Sequence, residues 1–182
     1  STVLGNRRIR GIVIAASLGG ILYKTMHGKA LWEHAVAVGL VARELSRKAC
    51  PGLDAEEAFV AGLLHDVGKG LFDSQYPEKF ANAVALSSFQ PDVGSREAEL
   101  YVLGMDHTEA GCQVAGFWGL PALLSDVIRF HHEPFSAEVS TDLCCVVNIA
   151  DALCLRNGVG TLKREGLDLE SQPGFTRMRV SI

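Results

Sequence analysis

The stretch Asp54-Ala-Glu-Glu-Ala-Phe-Val-Ala-Gly-Leu-Leu-His65-Asp66-Val-Gly-Lys69-Gly70 decides the class of this chain. Asp54 with Glu57 three residues on has the spacing of a capping box, so a helix opens here. Ala58, Ala61, Gly62 and His65 then recur at the i, i+3, i+4, i+7 spacing of a buried helical face, with Asp66 beside them. Gly68-Lys69-Gly70 reads as a stop. The expectation is a helix ending near residue 67, with Lys69 in the loop beyond it. An imidazole and a carboxylate thus stand at the inward end of an apolar helix. A buried carboxylate keeps its charge only with a partner, and a metal ion is one such partner.

The same period continues on both sides. It predicts helices over 9–26, closed by His27-Gly28, and over 31–48, 77–86 and 96–102. A further helix is expected from an Asp106 cap to Trp118. Another has Pro121 at its first position and reaches His132, and a long one, capped by Thr141 or Asp142, ends at Arg156. Residues 159–182 are weakly patterned and are broken by Pro173-Gly174. Sustained alternation of period two is absent, so the chain reads as an all-α bundle of about eight helices.

Composition narrows the function classes. A chain of 182 residues, 48% hydrophobic and 21% charged, suits one domain with its own core. A net charge of -4, with only Arg7, Arg8 and Arg10 as a basic cluster, argues against nucleic acid as a partner. The longest apolar stretch, residues 11–22, falls short of the roughly 20 residues a membrane span needs, so no membrane association is expected. Five cysteines include the adjacent pair Cys144 and Cys145 in an apolar run and form no Cys-x-x-Cys pair. They read as buried thiols of a reducing compartment, which points to the cytoplasm.

Other apolar faces carry polar residues too. His34 shares a face with Ala37, Val38, Val41 and Leu45, and His107 with Ala110, Gly111, Val114 and Trp118. His131 lies on the stripe of Leu124, Val127 and Ile128, with His132 about 100° further round, at the edge. Asn148 and Asp151 are the strongly polar residues of the long helix between Leu143 and Leu155. One core histidine is ordinary. The set His34, His65, Asp66, His107, His131 and Asp151 is not: it is predicted to converge from five helices. Mixed nitrogen and oxygen donors favour divalent Fe, Mn, Ni, Co or Zn over Ca or Mg, and the absence of thiolate argues against a structural zinc site. The set suffices for one or two ions, an arrangement suited to phosphate-ester hydrolysis.

The order His34, His65-Asp66, Asp151 resembles the signature of the HD superfamily of metal-dependent phosphohydrolases. Glu57 to Lys69 is similar to the HD helix of one branch, the HD-related output domain (HDOD). So are Leu31-Trp32-Glu33-His34, Asp106-His107-Thr-Glu109, Trp118-Gly-Leu-Pro121 before His131-His132, and Leu4-Gly5 with Arg10-Gly-Ile-Val-Ile-Ala near the start. The resemblance covers roughly residues 3–157. It implies one HD-like domain of a bacterial signalling protein that begins inside the family's usual extent, with residues 158–182 unassigned.

Through the related HD-GYP phosphodiesterases, the resemblance implies that the six residues are dinuclear ligands and that Lys69 contacts the scissile phosphate. Asp66 and Lys69 are thereby the expected catalytic residues. Two departures bear on substrate. No Gly-Tyr-Pro follows His131-His132-Glu133, which argues against cyclic-di-GMP. Ala30 stands where trinuclear sites carry Glu, which argues against a third ion. Two function classes follow: hydrolysis of a phosphomonoester, phosphodiester or nucleotide, or a non-catalytic output domain that binds a signalling protein.

Overall fold

The computed structural model describes Val13 and residues 24–90, 92–162, 164 and 166–178. Among these residues the fold is all helical and contains no strand. Eight helices of nine residues or more follow one another: α1 Gly28–Ala49, α2 Ala55–Leu64, α3 Val67–Gln75, α4 Pro77–Phe89, α5 Ser95–Leu103, α6 His107–Trp118, α7 Ala122–Phe130 and α8 Thr141–Arg156. A 3-10 turn, Pro134–Ser136, precedes α8, and a single turn α9, Phe175–Met178, packs on it afterwards. Most of the predicted helix over 9–26 lies outside the described residues; Val13 is helical and residues 24–26 form a turn and bends.

Local chemistry explains several of the ends. Asp54 caps α2 by accepting the N–H groups of Glu56 and Glu57, and Asp106 caps α6 through Thr108 and Glu109. Gly119 closes α6 in the left-handed conformation, φ 59°. Pro121 is the N-cap of α7 and not its first residue. The cap of α8 is Ser140, one residue before the expected Thr141, because its hydroxyl reaches the Leu143 N–H. Asp126, buried on α7, accepts the N–H groups of Glu138, Val139 and Ser140 and so fixes the loop entering α8.

Three readings change. Gly28 opens α1 and does not close the preceding segment, since the Asp73 carboxylate on α3 takes the His27 N–H at the start of the helix. The buried stripe of α1 is Leu31, His34, Ala35, Val38, Ala42 and Ser46, while Ala37, Val41 and Leu45 are half-buried. The shift follows from the close crossing of α1 and α2, where a Cβ on Gly62 would lie 2.8 Å from the Gly39 Cα. Finally, α2 stops at Leu64 and α3 runs straight through Gly68-Lys69-Gly70. Gly68 serves packing and not termination: a Cβ there would lie 2.0 Å from the His107 carbonyl oxygen, so glycine lets α3 press against α6.

The core runs along α8, whose residues from Leu143 to Ala152 are all buried, with α1, α2 and α7 packed around it. The tight α1–α2 crossing and the α3–α6 contact bring the second turn of α1, the α2–α3 junction, the start of α6 and the end of α7 to one place beside α8.

Candidate metal centre

His34 comes from the second turn of α1, and His65 and Asp66 from the break between α2 and α3. His107 opens α6, His131 and His132 follow the last turn of α7, and Asp151 lies midway along α8. All six predicted ligands are buried together. His34 Nε2 is 3.0 Å from Asp151 Oδ1 and 3.7 Å from Asp66 Oδ2, and His65 Nε2 is 3.4 Å from that same Asp66 oxygen. The other Asp66 oxygen, Oδ1, faces His107 Nε2 at 3.3 Å and His131 Nε2 at 3.8 Å. Asp66 therefore turns one oxygen to each of two histidine clusters. One cluster is His34, His65 and Asp66; the other is His107, His131 and His132, and within each the candidate ligand atoms lie within 4.8 Å of one another.

Position alone gives Asp66 this freedom. It occupies the N-cap of α3, where an aspartate commonly accepts its own helix's N–H groups, yet it makes no such bond. Both its oxygens stay with the cluster.

The imidazoles are held in one tautomer. His34 Nδ1 meets the Val159 carbonyl at 2.8 Å and His65 Nδ1 meets the Gly62 carbonyl at 2.7 Å. His131 Nδ1 lies 3.2 Å from the carbonyls of Val127 and Ile128, and His107 Nδ1 lies 2.6 Å from Glu99 Oε2. Each of these Nδ1–H groups donates outward, which leaves the Nε2 lone pair pointing inward. Those Nε2 atoms face the carboxylate oxygens of Asp66 and Asp151. His34 Nε2, His65 Nε2, Asp66 Oδ1 and Asp151 Oδ1 are buried without a hydrogen-bond partner. Buried polar atoms are nearly always satisfied, so three such atoms in one half, with Asp66 Oδ1 turned to the other, fit bound cations.

Charge in the site follows the same logic. Burial pushes the Asp66 carboxyl up, but His65, Lys69 and His107 outweigh it and hold the group well below the usual range. Burial likewise opposes ionisation of Asp151, and His34 and His65 beside it lower it nonetheless. Burial, with His65 and His107 alongside, brings His131 down to about 3. His132 is also lowered strongly, by burial and by its neighbours His131 and His107. Both are neutral imidazoles at pH 7, the form that ligates a metal.

Three features depart from the sequence reading. Lys69 is not in an exposed loop: it sits in the first turn of α3, its side chain 12% exposed, and its ammonium donates to Asp66 Oδ2 at 2.7 Å. Burial disfavours its charge, but Asp66, Glu99 and Asp151 raise its pKa and keep it cationic. His132 joins the donors, its Nε2 3.0 Å from that of His107. The helix ends at Phe130, so the 100° step per residue no longer applies to it. Glu99 went unread because it lies in a short, mostly polar helix. It is 2% exposed and also accepts the His107 N–H. Asn148, one turn before Asp151, donates to the His131 carbonyl at 2.9 Å.

Beside the cluster is a cavity of about 440 Å³ whose lining includes His34, Asp66, Lys69, His132 and Asp151. That volume is in the range of small-molecule sites.

The sequence model of the HDOD domain family matches residues 2–134. The chain belongs to the HDOD family. This HDOD fold is shared with a solved HDOD domain protein of unknown function from Geobacter sulfurreducens, at a TM-score of 0.78 and 23% identity over 93% of this chain and 59% of that one. It is shared too with a protein named "Putative phosphohydrolase" from Shewanella amazonensis SB2B, at a TM-score of 0.67 and 28% identity over 84% and 56% of the two chains. Ribonuclease Y of Thermus thermophilus is 31% identical over 140 residues, 75% of this chain and 18% of that protein. An uncharacterised protein of Treponema pallidum is 26% identical over 150 residues, 81% of this chain and 29% of the other. The HDOD chain thus spans less than a third of the length of these curated relatives. Asn148, Asp151 and the segment after α8 lie beyond the residues the family model matches.

Proposed function

We propose that this HDOD domain is a metal-dependent phosphohydrolase acting on a small phosphomonoester, phosphodiester or nucleotide. The observation that carries the reading is Asp66, with one oxygen toward each histidine cluster and orphaned acceptor atoms around it. His34, His65, Asp66 and Asp151 would hold one divalent Fe, Mn, Ni, Co or Zn ion, and Asp66, His107, His131 and His132 would hold a second. Bound there, such ions supply Lewis acidity toward a phosphoryl oxygen and acidify water.

The chain's own groups do the rest. Val159, Gly62, Val127, Ile128 and Glu99 hold the imidazole tautomers. Lys69 fixes the Asp66 carboxylate and presents a permanent positive charge at the cavity, where it offsets negative charge on the phosphate. The cavity admits a small molecule, and the net charge of -4 disfavours a polyanionic partner. Among the described residues no helix is long and apolar enough to cross a membrane. The names Ribonuclease Y and phosphohydrolase among the relatives are in keeping with phosphate-ester chemistry.

The test is metal analysis joined to turnover. Protein purified without chelator after Mn or Fe supplementation is expected to carry roughly one to two ions per chain, most of them lost in Asp66→Ala. Wild type is expected to hydrolyse bis(p-nitrophenyl) phosphate or a nucleotide above the Asp66→Ala background, with Lys69→Ala slower by about ten-fold or more, as about 1.4 kcal/mol of lost transition-state stabilisation requires. No turnover above that background across a broad panel of phosphate esters overturns the enzyme reading and leaves the output domain that binds a signalling protein.

A further inference from the structure

The segment that follows α8 touches both halves of the site through two independent hydrogen bonds. Its first contact is the Val159 carbonyl, 2.8 Å from His34 Nδ1, in the half that holds His65, Asp66 and Asp151. Its second is the Gly174 N–H, which donates to Asn148 Oδ1 at 3.0 Å while the Asn148 amide donates to the His131 carbonyl at 2.9 Å, in the other half. Between these anchors Gly160, Thr161, Leu162, Leu167 and Gln172 wall the cavity. The segment is seated and not draped: Leu169 is 3% exposed, and the Arg164 N–H bonds the Leu155 carbonyl at the end of α8.

From this geometry we infer that the described residues of the segment after α8, 159–162, 164 and 166–174, are a positioning element of the metal centre, setting metal affinity in both halves by holding His34 and the His131-His132 turn in ligating orientation. This inference rests on the metal reading proposed above. Val159 works through the His34 tautomer: with Nδ1–H given to the carbonyl, only Nε2 keeps a lone pair, and it is aimed at Asp66 and Asp151. Asn148 works through the backbone, since its amide is the link by which the Gly174 N–H and the His131 carbonyl are kept at fixed separation. Groups that orient ligands in this way commonly change metal affinity by about 10–100-fold when removed. The same segment forms a wall of the cavity.

Two variants probe the two anchors separately. Asn148→Ala removes the bridge to Gly174 and His131. Gly160→Ala acts at the other end: its Cβ would lie 3.2 Å from His34 Nδ1, at a backbone φ of 139° that alanine rarely adopts, so Val159 is displaced from His34. Mn2+ affinity is measured by calorimetry on chelator-stripped protein, and the His34 tautomer by nitrogen NMR of histidine-labelled protein. The metal-free melting temperature is followed alongside.

The expected result is a loss of Mn2+ affinity of about ten-fold or more in each variant. In Gly160→Ala the His34 signal shifts from pure Nδ1–H toward a mixture, a change that general loosening of the tail leaves untouched. Mn2+ affinity within two-fold of wild type in a folded variant of either kind, with the His34 tautomer unchanged in Gly160→Ala, overturns the inference while leaving the metal centre standing. A wild type that binds no Mn2+ overturns the metal reading and this inference with it. If Asn148→Ala does not fold, Gly160→Ala alone decides.

Discussion

Lys69 shows how much one side chain's setting matters. As a loop lysine after a helix stop it would contribute a few tenths of a kcal/mol to stability. In the structure it is buried against Asp66, and removing one partner of such a pair strands the other. Lys69→Ala is therefore expected to destabilise the metal-free protein by about 3 kcal/mol, read by urea unfolding at pH 7. A melt superimposable on wild type would count against a stabilising Lys69–Asp66 pair. His132 makes the complementary case. Its place in the second cluster predicts that His132→Ala lowers the Mn2+ stoichiometry by about one ion while the ion between His34, His65, Asp66 and Asp151 remains. Loss of all metal, or of none, in titrations of that variant would show that His132 does not serve the second position. The inward set itself was legible from periodicity because His65, His107 and His131 recur with the apolar residues of their helices. Glu99 was not, since its burial comes from the packing of α5 and not from its own pattern.

At the scale of elements, two short junctions carry the architecture. The α3–α6 contact depends on Gly68, whose added Cβ would meet the backbone of His107 and Gly111 and no yielding side chain. Gly68→Ala is expected to cost about 3 kcal/mol or more, at the upper end of overpacking effects, and to lower metal affinity by moving His107 from Asp66. Chemical denaturation together with Mn2+ titration measures both.

The start of α6 depends on Asp106, which caps Thr108 and Glu109 and pairs with Arg96 at 2.8 Å. Burial raises this carboxyl, but the bonds from Thr108, Glu109 and Arg96 lower it overall. A carboxylate whose folded pKa lies below its unfolded value contributes stability above about pH 4, and the contribution is lost as pH falls through the folded pKa. Asp106→Ala is accordingly expected to cost about 1 kcal/mol at pH 7, with the gap to wild type closing in acid. A gap that is constant from pH 7 down to pH 2 would count against the ionic part of the cap.

For the whole molecule, the core around α8 makes a chemical prediction. Cys144 and Cys154 are buried, and burial first, with Asp126 and Asp151 respectively nearby, pushes both thiols up to about 12. Burial and Asp142 bring Cys145 to about 11. At pH 8 all three remain thiols, and the thiolate is the reactive form. Iodoacetamide is expected to leave them unmodified in the native protein and to alkylate them once it is unfolded, a difference that mass spectrometry of tryptic peptides reads directly. Rapid native labelling of Cys144 or Cys154 would mean that α8 opens easily.

The sequence by itself determined the helical class, most helix positions and the inward direction of the six predicted ligands, because a 3.6-residue apolar period and side-chain caps such as Asp54 and Asp106 are local properties of the chain. Only the tertiary structure decided that Gly68 is a packing surface, that Lys69 is buried, that Asp66 turns an oxygen to each cluster and that Val159 and Gly174 reach back to the site. These depend on which backbones approach one another across long separations in the chain, and a local pattern holds no record of that approach.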